Sequence, residues 1–345
     1  MKKHTRLFLF GAAGVLVVGL GTGLVASIVG VQNLGFLPDR GPDELVYVPA
    51  DVRLVAFANV ADVMHSELRQ KIRALDPSQS TDSDNTFQAE TGIDIESDID
   101  YVVAFMAAGD EQPGGAPTVL ARGRFDEVRI RGFMDDHGAS VEDYKGNRLL
   151  VNAEHRVAVT FVEPGLAIVG MPAGVRRALD TKASGTGVRD NAGVMQHIKD
   201  ANSGNAWAVA RFDALTQGRL PNEIASRLPS ITWFSATANI NGGVHGLLRA
   251  DTRDEAAAQD LRDVIRGFVA LARMQVGDTP AVTDLMNSFE LGGQGSTVSL
   301  GFTISTDLID ALAALMPRLN REIEIPDGGQ APAEPQQPTA ESPAI

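Results

Sequence analysis

The fold is decided by two short apolar stretches, RLVAFANV at residues 53–60 and AWAVARF at residues 206–212. Each is rich in β-branched, aromatic and small apolar residues and is too short for a buried helix, which predicts a buried β-strand. A helical pattern follows the first stretch, with Met64 and Leu68 on one face, and a looser helical pattern follows the second at residues 215–228. Each stretch therefore opens a strand-then-helix unit.

The elements that follow come in a similar order in both halves. The first half continues with two strands, a helix, a four-strand meander and two short helices, predicted at residues 101–107, 118–124, 126–137, 140–171, 173–180 and 191–200. The second half continues with a hairpin around Asn241-Gly242, a helix, a strand and a closing helix, predicted at residues 231–240, 243–250, 252–272, 296–305 and 308–319. Thr252 and Glu255 have the spacing of a capping box at the start of that first helix.

Strands joined by tight turns pair antiparallel, and a sheet needs helices to cover its apolar face. We therefore predict an α+β fold with two diverged repeats of an antiparallel sheet with helices packed on one face, preceded by one N-terminal transmembrane helix. The repeats are expected at residues 45–200 and 201–325. The alternative is a chance similarity in the order of common elements.

The N-terminal region contains 25 residues without a charge, from Leu7 to Val31. At about 1.5 Å per residue this run can cross a hydrocarbon layer about 30 Å thick. All three charged residues before it are basic, which predicts a cytoplasmic segment at residues 1–6, a signal anchor at residues 7–31 and export of the rest of the chain. A cleaved signal peptide is the alternative, although its apolar segment usually has about 7 to 15 residues.

Gly19 and Gly23 have the Gly-x-x-x-Gly spacing that lets two membrane helices approach closely. Glycine is also frequent in membrane helices that do not dimerise. A homodimer is therefore one of two open interpretations of the anchor.

Beyond Val31 the chain has 27 Lys and Arg against 44 Asp and Glu, a formal charge of −17. So acidic a domain repels nucleic acid and anionic lipid head groups, and its aromatic residues are too few for stacking on bases. The chain contains no cysteine, which excludes disulfides, thiol catalysis and Cys-ligated metals. We expect no nucleic-acid partner and no cofactor.

Two segments flank the exported part. Residues 32–44 are expected to link it to the anchor, and residues 326–345 are expected to form a disordered tail. Five of those twenty tail residues are proline, and the others offer little apolar surface to bury. The tail is either inert or a docking segment.

The concentration of basic residues on the acidic exported part consists of Arg122, Arg124, Arg129 and Arg131. One interpretation is a patch that binds an anionic ligand or a partner protein. The other is a set of solvent-facing arginines paired with acidic residues close by in the sequence.

Other candidate chemistry is weak. In an extended chain the carboxylates of Asp94, Glu96, Asp98 and Asp100 would share one side and offer oxygen ligands to a calcium ion, but the spacing is not that of an EF-hand loop. The histidines are scattered without zinc-binding spacing, and the exported part has no serine-hydrolase motif. We assign no catalytic residue, no metal ligand and no cofactor-binding residue.

Four stretches carry a resemblance to known proteins: YVPADVRLVAFANV (47–60), TGIDIESDIDYVVAFM (91–106), EDYKGNRLLV (142–151) and SGNAWAVARFDAL (203–215). They look like those of uncharacterised bacterial envelope proteins that are membrane-anchored and have a duplicated exported α+β domain. The resemblance implies a location and an architecture, and it transfers no catalytic motif.

Three hypotheses for the function remain. The favoured one is a non-enzymatic, single-pass protein of the bacterial inner membrane, whose periplasmic domain binds a protein partner or organises the cell envelope. The second is a carrier or sensor of an apolar small molecule or lipid, with a pocket lined by Phe105, Phe133, Phe161 and Phe268. The third is a hydrolase whose active site has an unrecognised geometry.

Overall fold

One antiparallel sheet organises the chain in the computed structural model. The structure describes residues 41–70, 88–109, 117–212, 230–240, 242–275, 283–284, 287–308 and 310. The strands within these residues are β1 (Val52–Ala58), β2 (Ile99–Ala107), β3 (Thr118–Gly123), β4 (Ser140–Tyr144), β5 (Asn147–Asn152), β6 (Val157–Glu163), β7 (Leu166–Gly170), β8 (Ala206–Arg211), β9 (Ile231–Ile240), β10 (Gly243–Thr252), β11 (Glu290–Gly292) and β12 (Thr297–Ser305).

The strand order across the sheet is β11-β12-β10-β9-β8-β1-β2-β3-β7-β6-β5-β4. The two apolar stretches that open the halves, β1 and β8, pair directly with each other, with Phe57 opposite Trp207. The predicted α+β class with antiparallel pairing is thereby confirmed. The sheets of the two halves are joined into one, because each opening strand uses the other as a neighbour.

Helices cover both faces of this sheet, which corrects the expectation of helices on one face. The described helices are α1 (Val60–Met64), α2 (Ile95–Asp98), α3 (Glu127–Asp136), α4 (Pro172–Ser184), α5 (Ala192–Ala201) and α6 (Glu255–Gln275), with 3-10 helices at Asp43–Tyr47 and Val188–Asp190. The 3-10 helices, α4 and α5 pack on one face, which we call face A. On the other, face B, pack α1, α2, α3 and α6.

Strand β2 shows why helices must cover both faces of the sheet. Val103 and Phe105 belong to the core of face A, whereas their neighbours Val102 and Ala104 are buried on face B. Successive side chains of a strand point to opposite faces, so a strand that is apolar throughout buries both sides. The runs read from the sequence as buried strands therefore already required two covering layers.

Helix starts agree with the sequence at one position and differ at another. Asp126 caps α3 as predicted, because its carboxylate accepts hydrogen bonds from the backbone N–H groups of Val128 and Arg129. Thr252 does not cap α6: its hydroxyl donates to carbonyl oxygens, and Asp254 accepts from the N–H of Ala257 instead. The predicted capping box at Thr252 is therefore wrong, since β10 continues through that residue.

Several predicted segments lie outside the described residues. They are the cytoplasmic segment, the anchor at residues 7–31, residues 32–40 of the linker, the helix at residues 215–228, most of the closing helix and the tail at residues 326–345. Among the residues that the structure describes, no helix combines the length and the apolar character needed to span a membrane.

Candidate functional site

A buried carboxylate at the start of the described chain organises a charged site on face A. The side chain of Glu44 is 1% exposed, and its Oε1 accepts hydrogen bonds from Arg122 Nη2 at 2.6 Å and from Arg122 Nε at 3.0 Å. The hydroxyl of Tyr101 donates to the same oxygen at 3.0 Å. Arg122 Nη2 also donates to Oε1 of the half-exposed Glu163 at 2.7 Å, so one guanidinium bridges two carboxylates.

Local structure explains how each group reaches the site. Leu45, within the 3-10 helix, and Val48, directly after it, are fully buried in the core of face A, so this helix also takes the neighbouring Glu44 out of water. Tyr101 and Arg122 are directly paired residues on β2 and β3 and therefore face the same side. Glu163 ends β6, immediately before the turn into β7.

A cavity of about 340 Å³ adjoins this network. Its lining combines three carboxylates, two basic groups, a tyrosine and two aliphatic side chains: Asp43, Glu44, Val46, Tyr47, Arg122, Glu163, Leu166 and Lys182. The ammonium of Lys182 lies 5.3 Å from the centre of the Tyr47 ring, in a cation–π arrangement. Among the described residues, neither a histidine nor a serine or threonine lines the cavity, and these side chains often serve as general bases or nucleophiles.

The electrostatics of the site follow from these contacts. Burial, followed by the negative charge of Glu163, raises the pKa of Tyr47 above its ordinary value. Burial and the adjacent carboxylate of Glu44 raise the pKa of Tyr101 in the same way. Burial would lower the pKa of Arg122, but the hydrogen bonds to Glu44 and Glu163 outweigh it and raise that pKa. The tyrosines therefore stay neutral and Arg122 stays charged throughout the physiological range.

The four arginines predicted as one patch occupy separate environments. Arg122 belongs to the cavity on face A, whereas Arg124 donates to the carbonyl oxygen of Ser97 and lies 3.6 Å from a carboxylate oxygen of Asp98. Arg129 donates to the carbonyl oxygen of Ala89 at 2.6 Å. Arg131 lies on α3, and among the described residues its buried Nε has no hydrogen-bond partner.

Arg124, directly after β3, and Arg129, on α3, thus both contact the segment at residues 89–98. Gly92, at a φ of 76°, leaves room for the Arg129 stem, which a Cβ at that position would contact at 2.7 Å. Arg122 alone of the four lines the cavity. Its partners Glu44 and Glu163 are distant in the sequence, unlike the nearby acidic residues of the alternative interpretation.

The alternating carboxylates of residues 94–100 do not share one side. Residues 95–98 form α2, and the Asp94 side chain accepts the N–H of Glu96 as the helix N-cap. Within the described ranges, no group of His, Asp or Glu side chains is arranged to hold a metal ion.

A histidine–carboxylate pair connects α5 with β10. Nδ1 of His197 on α5 lies 3.3 Å from Oδ2 of Asp251 on β10, and the His197 ring stacks on Trp233 with centroids 4.9 Å apart. The hydroxyl of Thr297 donates to Oδ1 of Asp251 at 2.5 Å. Because both groups bond the carboxylate, Thr297 is not hydrogen-bonded to the histidine as a nucleophile is in a catalytic triad.

The phenylalanines expected around an apolar pocket do not converge. Phe105 is fully buried on face A, Phe133 and Phe161 pack in a separate cluster under α3, and Phe268 is 68% exposed on α6. The carrier hypothesis gains no support from these four positions.

Sequence reasoning found Arg122 and missed its partners. Glu44 and Arg122 are 78 residues apart, so no local spacing connects them. The one signal available was Glu44 itself, an acidic residue directly before Leu45 in a segment that turns out to be buried.

Comparisons with known proteins add little. No family model matches the chain, and no curated protein matches it. Among solved structures, crystal form IV of TP0453 aligns at 11% identity and a TM-score of 0.48, over 79% of this chain and 96% of that chain. Crystal form III aligns at 10% identity and a TM-score of 0.47, over 80% and 99%. With TM-scores below 0.5, this likeness supports no inference about function.

Proposed function

We propose that this chain is a single-pass, membrane-anchored protein whose exported domain binds a protein partner in the cell envelope and catalyses no reaction. The uncharged run at residues 7–31, the basic residues before it and the acidic exported part support this proposal. They favour the bacterial inner membrane, with the N-terminus in the cytoplasm and the domain in the periplasm.

One observation carries the proposal: the first described segment after the anchor is built into the core and forms a wall of the charged cavity. Nine residues lie between Val31 and Gly41, so Gly41 lies within about 35 Å of the end of the predicted span, whatever path the chain takes. The cavity begins two residues later, at Asp43. A site so close to the membrane suits a partner that is itself held at that membrane.

We also propose that the two halves are diverged copies of one unit. Moving outward from the central β1–β8 pair, the order β1-β2-β3-β7 corresponds to β8-β9-β10-β12. The charged clusters correspond as well: Tyr101 is paired with Arg122, as Trp233 is with Asp251.

In each cluster a helix that precedes the opening strand supplies the side chain that pairs with the charged strand residue. Glu44 does so before β1, and His197 does so before β8. The geometric test is a single rotation near the directly paired Ala56 and Ala208. That rotation should superpose β1, β2, β3 and β7 on β8, β9, β10 and β12, and a poor overlap would contradict the duplication.

The partner proposal is tested by photo-crosslinking in the native membrane. Full-length protein carrying benzoyl-phenylalanine at Asp43, whose side chain is 95% exposed, should give one discrete, light-dependent adduct. The matched control carries the same group at Val128, which is exposed on α3 over face B. An adduct from the Asp43 position alone supports the proposal. No adduct there, or equal adducts from both positions, would overturn it.

The predicted membrane topology is checked with the same full-length chain. A reporter that is active only after export should be active when fused behind residue 345 and inactive when fused before residue 1. The reverse pattern, or activity at both ends, would contradict the predicted anchor.

A further inference from the structure

We propose that the cavity beside Glu44 receives a basic side chain, the ammonium of a lysine or the guanidinium of an arginine, from the partner protein. The inference rests on the proposed function and specifies the chemistry of the docking group. It is carried by the charges of the cavity, their burial and the hydrogen bonds already formed within it.

The cavity has more carboxylates than cations. Asp43, Glu44 and Glu163 face Arg122 and Lys182, but Asp43 is 95% exposed and lies 3.4 Å from Arg189, a cation outside the lining. The imbalance inside the cavity therefore comes from the other two carboxylates. Arg122 has one positive charge and is shared by two carboxylates, so the three-residue network of Glu44, Arg122 and Glu163 remains negative. A cation that enters the cavity would neutralise the remaining negative charge of this network.

The burial of Glu44 strengthens the negative potential of the cavity. Glu44 is 1% exposed, and among the described residues its Oε2 has no hydrogen-bond partner although it is shielded from solvent. A buried carboxylate oxygen without a donor is poorly stabilised, and its charge acts over a longer range than it would in water. The negative potential therefore extends into the cavity.

Glu163 is the group best placed to meet the incoming cation. Its side chain is 50% exposed, and within the described part of the chain one donor, Nη2 of Arg122, reaches it. An ionised carboxylate can accept about four hydrogen bonds, so Glu163 retains acceptor capacity on its open side.

The remaining lining suits the stem of such a side chain. Val46, Leu166 and the Tyr47 ring provide apolar surface beside the carboxylates. Lysine and arginine bury their methylene stems against apolar surface while their charged ends remain hydrogen-bonded. A volume of about 340 Å³ accommodates a long side chain together with several waters.

An anionic docking group fits less well. Nε and Nη2 of Arg122 are engaged by Glu44 and Glu163, so an anion at these two nitrogens would have to displace a carboxylate of the protein itself. Lys182 is the other cation of the lining, and its ammonium lies 5.3 Å from the centre of the Tyr47 ring. The exported part also has a formal charge of −17, which repels an acidic group on approach.

The direct test uses full-length protein in detergent and the probe Nα-acetyl-lysine methylamide, followed by saturation-transfer NMR. The matched neutral probe is the norleucine analogue, which has the same carbon stem without the ammonium, and Nα-acetyl-glutamate methylamide tests the anionic alternative. Glu163→Gln should weaken binding of the lysine probe at least 10-fold. Glu142→Gln should not, because Glu142 is also paired with an arginine, Arg176, but lies outside the cavity.

Two results would overturn the inference: equal binding of the lysine probe to Glu163→Gln and Glu142→Gln, or tighter binding of the glutamate probe. The side chain of Glu163 is half exposed, so loss of folding does not explain a loss of binding by Glu163→Gln.

Photo-crosslinking separates failure of this inference from failure of the proposed function. An Asp43 adduct that persists unchanged in Glu163→Gln means that a partner binds without a basic group in the cavity, which rejects the inference alone. Absence of any adduct in the unmodified protein rejects the proposed function. An adduct that disappears in Glu163→Gln and remains in Glu142→Gln supports both.

Discussion

The ring of Phe57 on β1 stacks on the ring of Trp207 on β8, with centroids 5.9 Å apart and planes inclined by 21°. The two residues are directly opposite in the strand pair that joins the halves. Trp207 is 2% exposed and Phe57 is 4% exposed, so this contact lies inside the core and not at a boundary between separate domains.

We expect the two halves to unfold together because of this junction. All three tyrosines, Tyr47, Tyr101 and Tyr144, are in the first half, and both tryptophans are in the second, so each half has its own optical probe. Trp207→Ala should lower the free energy of unfolding by about 3–5 kcal/mol. In urea titrations of the full-length protein in detergent, tyrosine absorbance and Trp233 fluorescence should both shift to lower midpoints. A tyrosine midpoint that stays unchanged would contradict one cooperative sheet.

Arg122→Leu should destabilise the protein by about 3 kcal/mol, because it leaves the buried Glu44 carboxylate without its counter-charge. Arg124→Leu is the control: its side chain is 66% exposed, and its loss should cost less than about 1 kcal/mol. Adding Glu44→Leu to Arg122→Leu should restore part of the lost stability, since the uncompensated charge is then removed. Equal urea midpoints for the two arginine variants would show that the Glu44–Arg122 ion pair contributes no stability.

We expect Asp251 to make the free energy of unfolding depend on pH in the acid range. The hydrogen bond from His197, supported by that from Thr297, lowers the pKa of Asp251 below its ordinary value of 3.8. A carboxyl with a lowered folded-state pKa contributes stability above its unfolded-state pKa, and that contribution is lost as the pH falls through the folded-state pKa. The difference in unfolding free energy between the unmodified protein and Asp251→Asn should therefore be largest near pH 6 and shrink below about pH 4. A difference that is constant from pH 6 to pH 3 would rule out this role.

Two glycines should respond to alanine in opposite directions. A Cβ at Gly123, at the end of β3, would collide with the backbone carbonyl oxygen of Asp98, so Gly123→Ala should destabilise by more than about 2 kcal/mol. Gly132 is exposed in α3 and has nothing within 4 Å of the position of a Cβ. Gly132→Ala should stabilise by about 0.5–1 kcal/mol, because alanine loses less entropy in a helix. Thermal midpoints of the two variants measured side by side check the sign of each effect.

Local features were predictable because their causes lie within a few residues. The Asp126 cap satisfies N–H groups two and three residues away, and β9 and β10 pair antiparallel as the predicted hairpin requires. The wrong prediction of a capping box at Thr252 also came from a local pattern. The capping-box spacing was present, but β10 extends through Thr252 and helix capping passes to Asp254.

The sequence by itself determined the strands other than β11, most of the described helices, the antiparallel pairing within hairpins and the acidic character of the chain beyond Val31. Periodicity, caps and turns act over short distances, so residue order is enough to specify them. Tertiary structure alone decided that β1 and β8 join the halves into one sheet, which helices cover each face and that Glu44 meets Arg122. These features depend on packing between residues far apart in the chain, and no local pattern encodes which distant partner will exclude water from a given side chain.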